Sequence, residues 1–179
     1  MDASAEASLP LPGYKVRPLQ PGDEGLVQAL LEDCADYFEL VTGLPPGPSA
    51  GASLLAERPE GRGPEDKFVF GVFAEPAGLI GALDVIRDHP HPRDWFIGLM
   101  LLSPPHRGQG LGRRLYLALE TWAAGQGAQS ILLGVVQQNE RACRFWKRLG
   151  FEPIEKRPPA RHGNRESAVI VMKRRLSPE

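Results

Sequence analysis

The almost wholly apolar run at residues 95–102, WFIGLMLL, is the feature that most restricts how this chain can fold. A strand of this kind is buried on both faces, so it belongs in the middle of a covered sheet. Apolar residues then recur at helical spacing from Leu111 to Trp122, and a second apolar strand is predicted over residues 131–136. Strand, helix and strand in this order predict a right-handed crossover between two parallel strands.

Weaker patterns predict further elements on either side of this unit. A helix is expected from Glu24, with helical spacing continuing as far as Val41, and another helix opens at Asn139 and ends at Gly150. Further strands are predicted over residues 14–19, 67–74, 79–87, 151–157 and 168–174. The proline- and glycine-rich residues 43–66 form a long loop with one short helical patch around residues 52–57, and the loop is either a lid on the substrate side or a solvated connector.

Length and composition limit the possible classes of protein. The chain has 179 residues, 42% of them hydrophobic, which suits one domain with its own core. We expect residues 1–12 to form a disordered tail and residues 13–179 to form a single domain. The net charge of −1 gives no general attraction to nucleic acid, and no stretch is apolar enough to span a membrane. A cytoplasmic location is the default expectation.

A glycine-rich segment lies between the apolar strand and the helix that follows it, Arg107-Gly108-Gln109-Gly110-Leu111-Gly112. Glycines let the backbone approach a ligand closely, and free amides at a helix start form an anion site. No Asp or Glu occurs between Leu102 and Leu119, whereas Arg107, Arg113 and Arg114 cluster there. Basic side chains at a helix start oppose the helix dipole, so this arrangement favours a bound polyanion.

Two familiar phosphate-binding motifs do not fit this segment. A Walker loop needs Lys and then Ser or Thr after its last glycine, but Gly112 is followed by two arginines. A dinucleotide fingerprint needs a third glycine where this chain has Arg113, and it belongs to the first strand of its domain.

The segment instead resembles the GNAT superfamily of acyl-CoA-dependent N-acetyltransferases, and the resemblance covers roughly residues 14–176. The family pattern Q/R-x-x-G-x-G/A matches Arg107 to Gly112. Its later motif, an Asn opening a helix that ends in an aromatic pair and Leu-Gly-Phe, matches Asn139, Phe145-Trp146 and Leu149-Gly150-Phe151. The implied fold is α/β (mixed α+β). It has a central mixed, mostly antiparallel sheet of about six or seven strands, helices on both faces and a splay between two parallel central strands.

The resemblance also implies a cosubstrate, acetyl-CoA, and an amine acceptor, with no metal. Residues implied to bind acetyl-CoA are the backbone of Met100, Leu101 and Leu102, the segment Arg107, Gly108, Gln109, Gly110, Leu111, Gly112 and Arg113, and the side chains of Asn139, Phe145 and Trp146. The strand would pair with the pantetheine arm, the amides would hold the pyrophosphate, and the aromatic pair would line the thioester region. Asn139 is also a plausible helix cap, and core packing is an equally good explanation of the aromatic pair.

The chain departs from the family at the positions of the usual acid and base. Relatives commonly use a tyrosine in the late helix as the acid, where this chain has Trp146, and an indole N–H is not a useful proton source. Positions where relatives often place a glutamate base correspond to Gly98 and Gly134. Positioning with water as proton carrier is one alternative. Otherwise Asp84 or Tyr37 is the candidate catalytic residue.

The expected function is transfer of an acetyl group from acetyl-CoA to a primary amine of an unidentified small molecule or peptide, by direct attack in a ternary complex. The alternative is an acyl-CoA-binding sensor with little or no turnover. We expect neither nucleic-acid nor membrane binding, and a homodimer is possible. A cationic amine is favoured by acids near the presumed acceptor side, namely Asp33, Asp36, Glu39, Asp84, Asp88 and Asp94.

Overall fold

The computed structural model describes residues 7–176, which form a seven-stranded sheet with helices on both faces. The strands are β1 (Lys15–Pro18), β2 (Lys67–Ala74), β3 (Gly78–Ile86), β4 (Asp94–Leu102), β5 (Ser130–Val136), β6 (Glu152–His162) and β7 (Arg165–Arg175). The α-helices are α1 (Glu24–Asp33), α2 (Ala35–Thr42), α3 (Ala50–Ala56), α4 (Leu111–Gly125) and α5 (Glu140–Arg148). Short 3₁₀ turns at Pro64–Asp66 and Pro104–His106 precede β2 and follow β4.

The strand order is β1-β2-β3-β4-β5-β7-β6, and every neighbouring pair is antiparallel except β4 and β5. The predicted parallel crossover through α4 and the mixed, mostly antiparallel sheet are therefore confirmed.

Two apolar layers sandwich the sheet. One joins α4 and α5 to the inward side chains of the central strands, and it includes the buried residues Trp95, Leu115 and Ile131. The other joins α1 to the opposite face through Val27, Leu30 and Val69, with α2 and α3 packed on its edge. The central strands are apolar because each face meets one of these layers.

The parallel pair β4–β5 separates part of the way along its length. Paired positions run from Asp94 and Ser130 to Ile97 and Leu133, and no pair follows, although both strands continue. A bulge in the β3–β4 pairing lies at the same level, since Asp84 pairs with Leu99 and Val85 with Ile97. Gly98 is thereby left as the extra residue of β4. The predicted splay between the two parallel strands is present.

Three segments differ from the sequence predictions. The first helix is interrupted at Cys34, whose N–H reaches the carbonyls of both Leu30 and Leu31, so α2 begins as a separate helix. The helical patch predicted within residues 43–66 is present as α3, but it begins two residues earlier than predicted and packs on α1. The last two strands extend well beyond residues 151–157 and 168–174 and form one long hairpin. Strand β6 is exposed almost throughout, so it lacks the alternating apolar pattern that would reveal its length.

The amino-terminal segment also differs from its prediction where the structure describes it. Ala7, Leu9 and Leu11 are buried in the layer that contains α4, which gives this part of the predicted disordered tail a defined position. Residues 1–6 lie outside the described residues. In the described range 7–176, no helix is long and apolar enough to cross a membrane.

Candidate functional site

A cleft of about 310 Å³ opens where β4 and β5 separate. It passes between the two strands, so residues from both faces of the sheet line it. The lining residues are Tyr37 and Val41 of α2, residues 97–100 of β4, residues 133–136 of β5, Asn139, Ala142 and Trp146 at α5, and His162 and Val169 of the last hairpin. No residue of the long segment 43–66 lines the cleft, so its contacts do not support the lid interpretation.

Two glycines face each other across the opening. Gly98 of β4 and Gly134 of β5 both line the cleft and are exposed despite their central position in the sheet. A Cβ on Gly98 would lie 2.7 Å from Oδ2 of Asp84, and one on Gly134 would lie 3.0 Å from a methyl group of Val169. Any side chain at these two positions would therefore crowd Asp84 or Val169 unless the neighbour moved.

The backbone of β4 offers free polar groups to the cleft at alternate residues. Ser103 N–H donates to the Ile80 carbonyl (2.8 Å), and Leu101, two residues earlier, shares this orientation towards β3. Met100 and Leu102 therefore point their backbone groups the other way, to the side where β5 has moved off, although the Leu102 carbonyl already accepts a hydrogen bond from Arg107 Nε. Of the three predicted backbone partners of acetyl-CoA, Leu101 does not fit this role.

The glycine-rich segment presents a row of unused amides. Gly108 and Gly110 have φ values of +74° and +79°, a left-handed conformation that favours glycine, and Gly110 caps α4. Among residues 7–176, no acceptor pairs with a backbone N–H of residues 108–113. These amides, including those of Gln109 and Leu111, converge at the positive end of the α4 dipole. The arrangement suits a phosphate-bearing ligand.

The three arginines near this row have different environments. Arg107 donates from Nε to the Leu102 carbonyl (2.7 Å) and pairs with Asp36 (2.5 Å), so it fastens the end of β4 to α2. Its hydrogen bond holds the pKa of Asp36 below the usual value. Arg114 donates to the Pro12 carbonyl. Arg113 is exposed and makes no hydrogen bond or ion pair among the described residues, which leaves its charge available to an anion.

Helix α5 combines capping, packing and lining roles. The Asn139 side chain accepts a hydrogen bond from Ala142 N–H (3.1 Å) and also lines the cleft, so both predicted roles are compatible. Trp146 is 7% exposed, packs edge-on against Tyr116 and lines the cleft. Phe145 instead contacts Gly112, where an added Cβ would lie 3.4 Å from its ring. Of the aromatic pair, Trp146 alone is among the cleft-lining residues.

Asp84 lies beside the cleft but is not free. Its Oδ1 accepts a hydrogen bond from Lys67 Nζ (2.8 Å), and both residues are buried. Burial raises the pKa of the Asp84 carboxyl more than the Lys67 ammonium lowers it. Its other oxygen lies against Gly98. The geometry is compatible with a base beside the cleft, with one oxygen engaged elsewhere.

Tyr37 lines the cleft from the α2 side. Its ring meets Phe38 edge-on, with the centroids 5.3 Å apart, and its hydroxyl makes no hydrogen bond to residues 7–176. Burial raises the pKa of this hydroxyl, so it stays protonated at neutral pH.

The acids expected to favour a cationic acceptor are mostly engaged with other groups. Pairings are Asp36 with Arg107, Asp84 with Lys67, Asp94 with Lys173, and Asp88 with the backbone N–H of Arg93. Three of these carboxylates are paired with a cationic side chain, which weakens the argument for a cationic amine.

His162 was missed by the sequence analysis. It is the last residue of β6 and lines the cleft, and its Nε2 is buried without a hydrogen-bond partner in the described residues. The strand predicted from sequence stopped at Arg157. The available signal was a lone histidine directly before Gly163-Asn164, a turn dipeptide between two strands.

No group of three or more His, Cys, Asp and Glu side chains in the described range is arranged to hold a metal.

Comparison with known proteins gives matches to acetyltransferases. The model of the Acetyltransferase (GNAT) family matches residues 28–151. A protein of Bacillus subtilis strain 168 described as uncharacterized N-acetyltransferase YobR is 29% identical over 122 residues, which cover 66% of this chain and 45% of that protein. The chain spans less than half the length of the curated relatives that it matches.

Solved structures share the fold at low identity. An acetyltransferase from Thermus thermophilus aligns with a TM-score of 0.72 at 23% identity, covering 95% of this chain and 100% of that one. The spermidine N-acetyltransferase from Vibrio cholerae, solved with CoA and spermine, aligns with a TM-score of 0.71 at 18% identity, covering 91% and 95%.

Proposed function

The chain belongs to the acetyltransferase (GNAT) family, and on this premise we propose that it transfers an acetyl group from acetyl-CoA to a primary amine in a ternary complex. The observation that most supports the proposal is the separation of β4 and β5 beside a row of unpartnered amides. An acyl-CoA has a polar arm and a pyrophosphate, and these two features match an open strand edge and an anion site in that order along the chain.

Several residues would hold the cosubstrate. Met100 would pair with the pantetheine arm through its N–H and carbonyl, and Leu102 through its N–H alone, because these groups are directed away from β3 and the Leu102 carbonyl is held by Arg107. The amides of residues 108–113 and the free guanidinium of Arg113 would hold the pyrophosphate. Asn139 and Trp146 line the cleft from α5 and would contact the arm and the thioester end. Leu101 and Phe145 would act as packing residues.

Acetyl-CoA supplies an acyl group activated as a thioester, whose carbonyl carbon bonds to the amine nitrogen as the C–S bond breaks. The chain must then take one proton from the amine and give one to the leaving sulfur. Tyr37 is suited to the second task because its hydroxyl stays protonated at neutral pH and has no competing hydrogen bond. Asp84 has the position for the first task, although Lys67 occupies one of its oxygens.

The acceptor is expected to enter from the side of α2 and the last hairpin, opposite α5. Polyamines belong in the first set of compounds to test, since one structural neighbour is a spermidine N-acetyltransferase. Small metabolites and peptide amino termini complete the set. A single domain over residues 13–179 and a cytoplasmic location are parts of the same proposal.

The alternative is a sensor that binds acyl-CoA without turnover. The purified chain should bind acetyl-CoA in calorimetry and should release free thiol only when an accepted amine is added. Binding without thiol release from any amine of a broad panel would favour the sensor. Absence of acetyl-CoA binding at millimolar concentration would refute both.

A further inference from the structure

We infer that His162 accepts the proton of the acceptor amine, in an acyl transfer that rests on the function proposed above. The inference starts from an unmatched buried atom in the cleft. Nε2 of His162 is shut off from solvent and has no hydrogen-bond partner among residues 7–176. No other buried side-chain nitrogen or oxygen in that range lacks a partner. Buried polar atoms are almost always paired, so an unpaired one on a residue that lines a cleft points to a ligand group as its partner.

The ring is fixed at this place by the turn that follows it. Asn164 N–H donates to the Thr42 carbonyl (2.7 Å), and Arg165 Nε donates to the Glu39 carbonyl (2.8 Å), so the hairpin tip is tied to the end of α2. Gly163 has φ +58°, and a Cβ there would lie 2.8 Å from the Thr42 carbonyl. Only glycine permits this close approach. The contacts hold His162 on the same side of the cleft as Tyr37.

Burial of one ring nitrogen selects the tautomer that a base needs. No hydrogen bond reaches either ring nitrogen from residues 7–176, and Nε2 is the one that is closed off from solvent. A proton on Nδ1 can be hydrated, whereas a proton on Nε2 would be a buried donor without an acceptor. The favoured neutral form therefore leaves the Nε2 lone pair unpaired on a residue that lines the cleft. An amine N–H placed in the cleft would satisfy it.

The step balances without any further reagent. An N–H bond of the attacking amine breaks and an Nε2–H bond forms on His162, as the amine nitrogen bonds to the thioester carbon. The imidazolium then gives up its Nε2 proton to water as the products leave, which restores the neutral ring with its proton on Nδ1. The leaving thiolate takes its proton from Tyr37, and the resulting Tyr37 phenolate regains a proton from water. In this scheme Asp84 stays paired with Lys67 and shapes the wall beside Gly98.

The test compares H162Q with the wild type and with H91A, since His91 is exposed and lies outside the cleft. In the thiol-release assay with an accepted amine, H162Q should lose about a hundredfold or more in turnover. Acetyl-CoA affinity by calorimetry should change less than about threefold, and H91A should match the wild type. The smaller variant H162A should regain activity on addition of imidazole, which a purely structural role would not allow.

A second measurement does not depend on turnover. Nitrogen-15 NMR of the unliganded wild type should show the neutral ring of His162 with Nδ1 protonated and Nε2 unprotonated. An Nε2–H tautomer would overturn the inference even if H162Q were unfolded. Turnover of folded H162Q above half the wild-type value would overturn it while leaving the proposed function intact. Absence of amine-dependent thiol release from the wild type would instead remove the proposed function and the inference with it.

Discussion

Replacing Lys67 by Met tests how the protein keeps a carboxylate buried beside the cleft. Lys67 Nζ lies 2.8 Å from Oδ1 of Asp84, and their side chains are 5% and 11% exposed. At this distance the attraction is about 6 kcal/mol with an effective dielectric constant of about 20, and desolvation of the two ions offsets much of it. Removing only the lysine leaves the cost of the buried carboxylate without its compensation.

The size of the loss has an upper limit set by protonation. Breaking a buried pair at one partner typically costs about 3–5 kcal/mol. Asp84 can escape this cost by taking up a proton. At pH 7, about three pH units above the ordinary pKa of an aspartate, this escape costs about 4 kcal/mol, at about 1.4 kcal/mol per unit. K67M should therefore lose about 3–4 kcal/mol of its free energy of unfolding at pH 7.

The sign of the pH dependence follows from which state holds the proton. In K67M the folded state binds a proton on Asp84 that the unfolded state releases, so stability falls as the pH rises. Between pH 5 and pH 7, urea denaturation of K67M should show a decline of about 1.4 kcal/mol per pH unit relative to K67M/D84N. The double variant, which has no charge at either position, should be nearly as stable as the wild type. A K67M loss below about 1 kcal/mol at pH 7, or no pH slope, would refute the buried pair.

Three further predictions concern the site and the surface. Y37F should lower turnover at least about tenfold in the thiol-release assay, since it removes the proposed proton donor; a change below twofold would reject that assignment. D84N separates the two candidate bases: a loss below twofold is expected if His162 takes the amine proton, whereas a tenfold loss would assign that role to Asp84. G110A should weaken acetyl-CoA binding at least about tenfold in calorimetry. Its control is G127A, because Gly127 is also left-handed and lies at the other end of α4. Each variant should lose about 1–2 kcal/mol of stability, but G127A should keep its affinity; equal affinities would remove Gly110 from the anion site. The pKa of Asp23 is lowered to about 2 by a hydrogen-bonded arginine. In urea titrations D23N should therefore be about 1 kcal/mol less stable than the wild type at pH 7, and this difference should shrink as the pH falls from 4 towards 2. A difference independent of pH would contradict the pairing.

The centre of the fold could be predicted because its constraints are local. The apolar run at residues 95–102, the glycines before α4 and the Asn139 cap each restrict the backbone within a few residues of themselves. The break at Cys34 could not be found in this way. Helical spacing continues through it, and the contacts that hold α2 against β4 join Asp36 to Arg107, which is remote in sequence.

The cofactor side of the candidate site was easier to predict than the acceptor side. Amides and strand edges belong to the main chain, so glycine and apolar patterns reveal them. The acceptor side depends on the long final hairpin, where exposed β6 includes two adjacent prolines and shows no period. The position of His162 depends on hydrogen bonds from the adjacent turn to the Thr42 and Glu39 carbonyls, which are remote in sequence.

The early separation of β4 from β5 divides the molecule into a four-stranded and a three-stranded half that share only four paired positions. Amide exchange should be unequal across this junction: protected from Asp94 to Ile97, and fast at Met100 and Leu102 until a ligand bridges the gap. Because the ligand would bind the main chain there, the side chains of Met100 and Leu102 can be substituted during evolution without loss of ligand binding. Substitutions that change the acceptor would accumulate instead on α2 and the final hairpin.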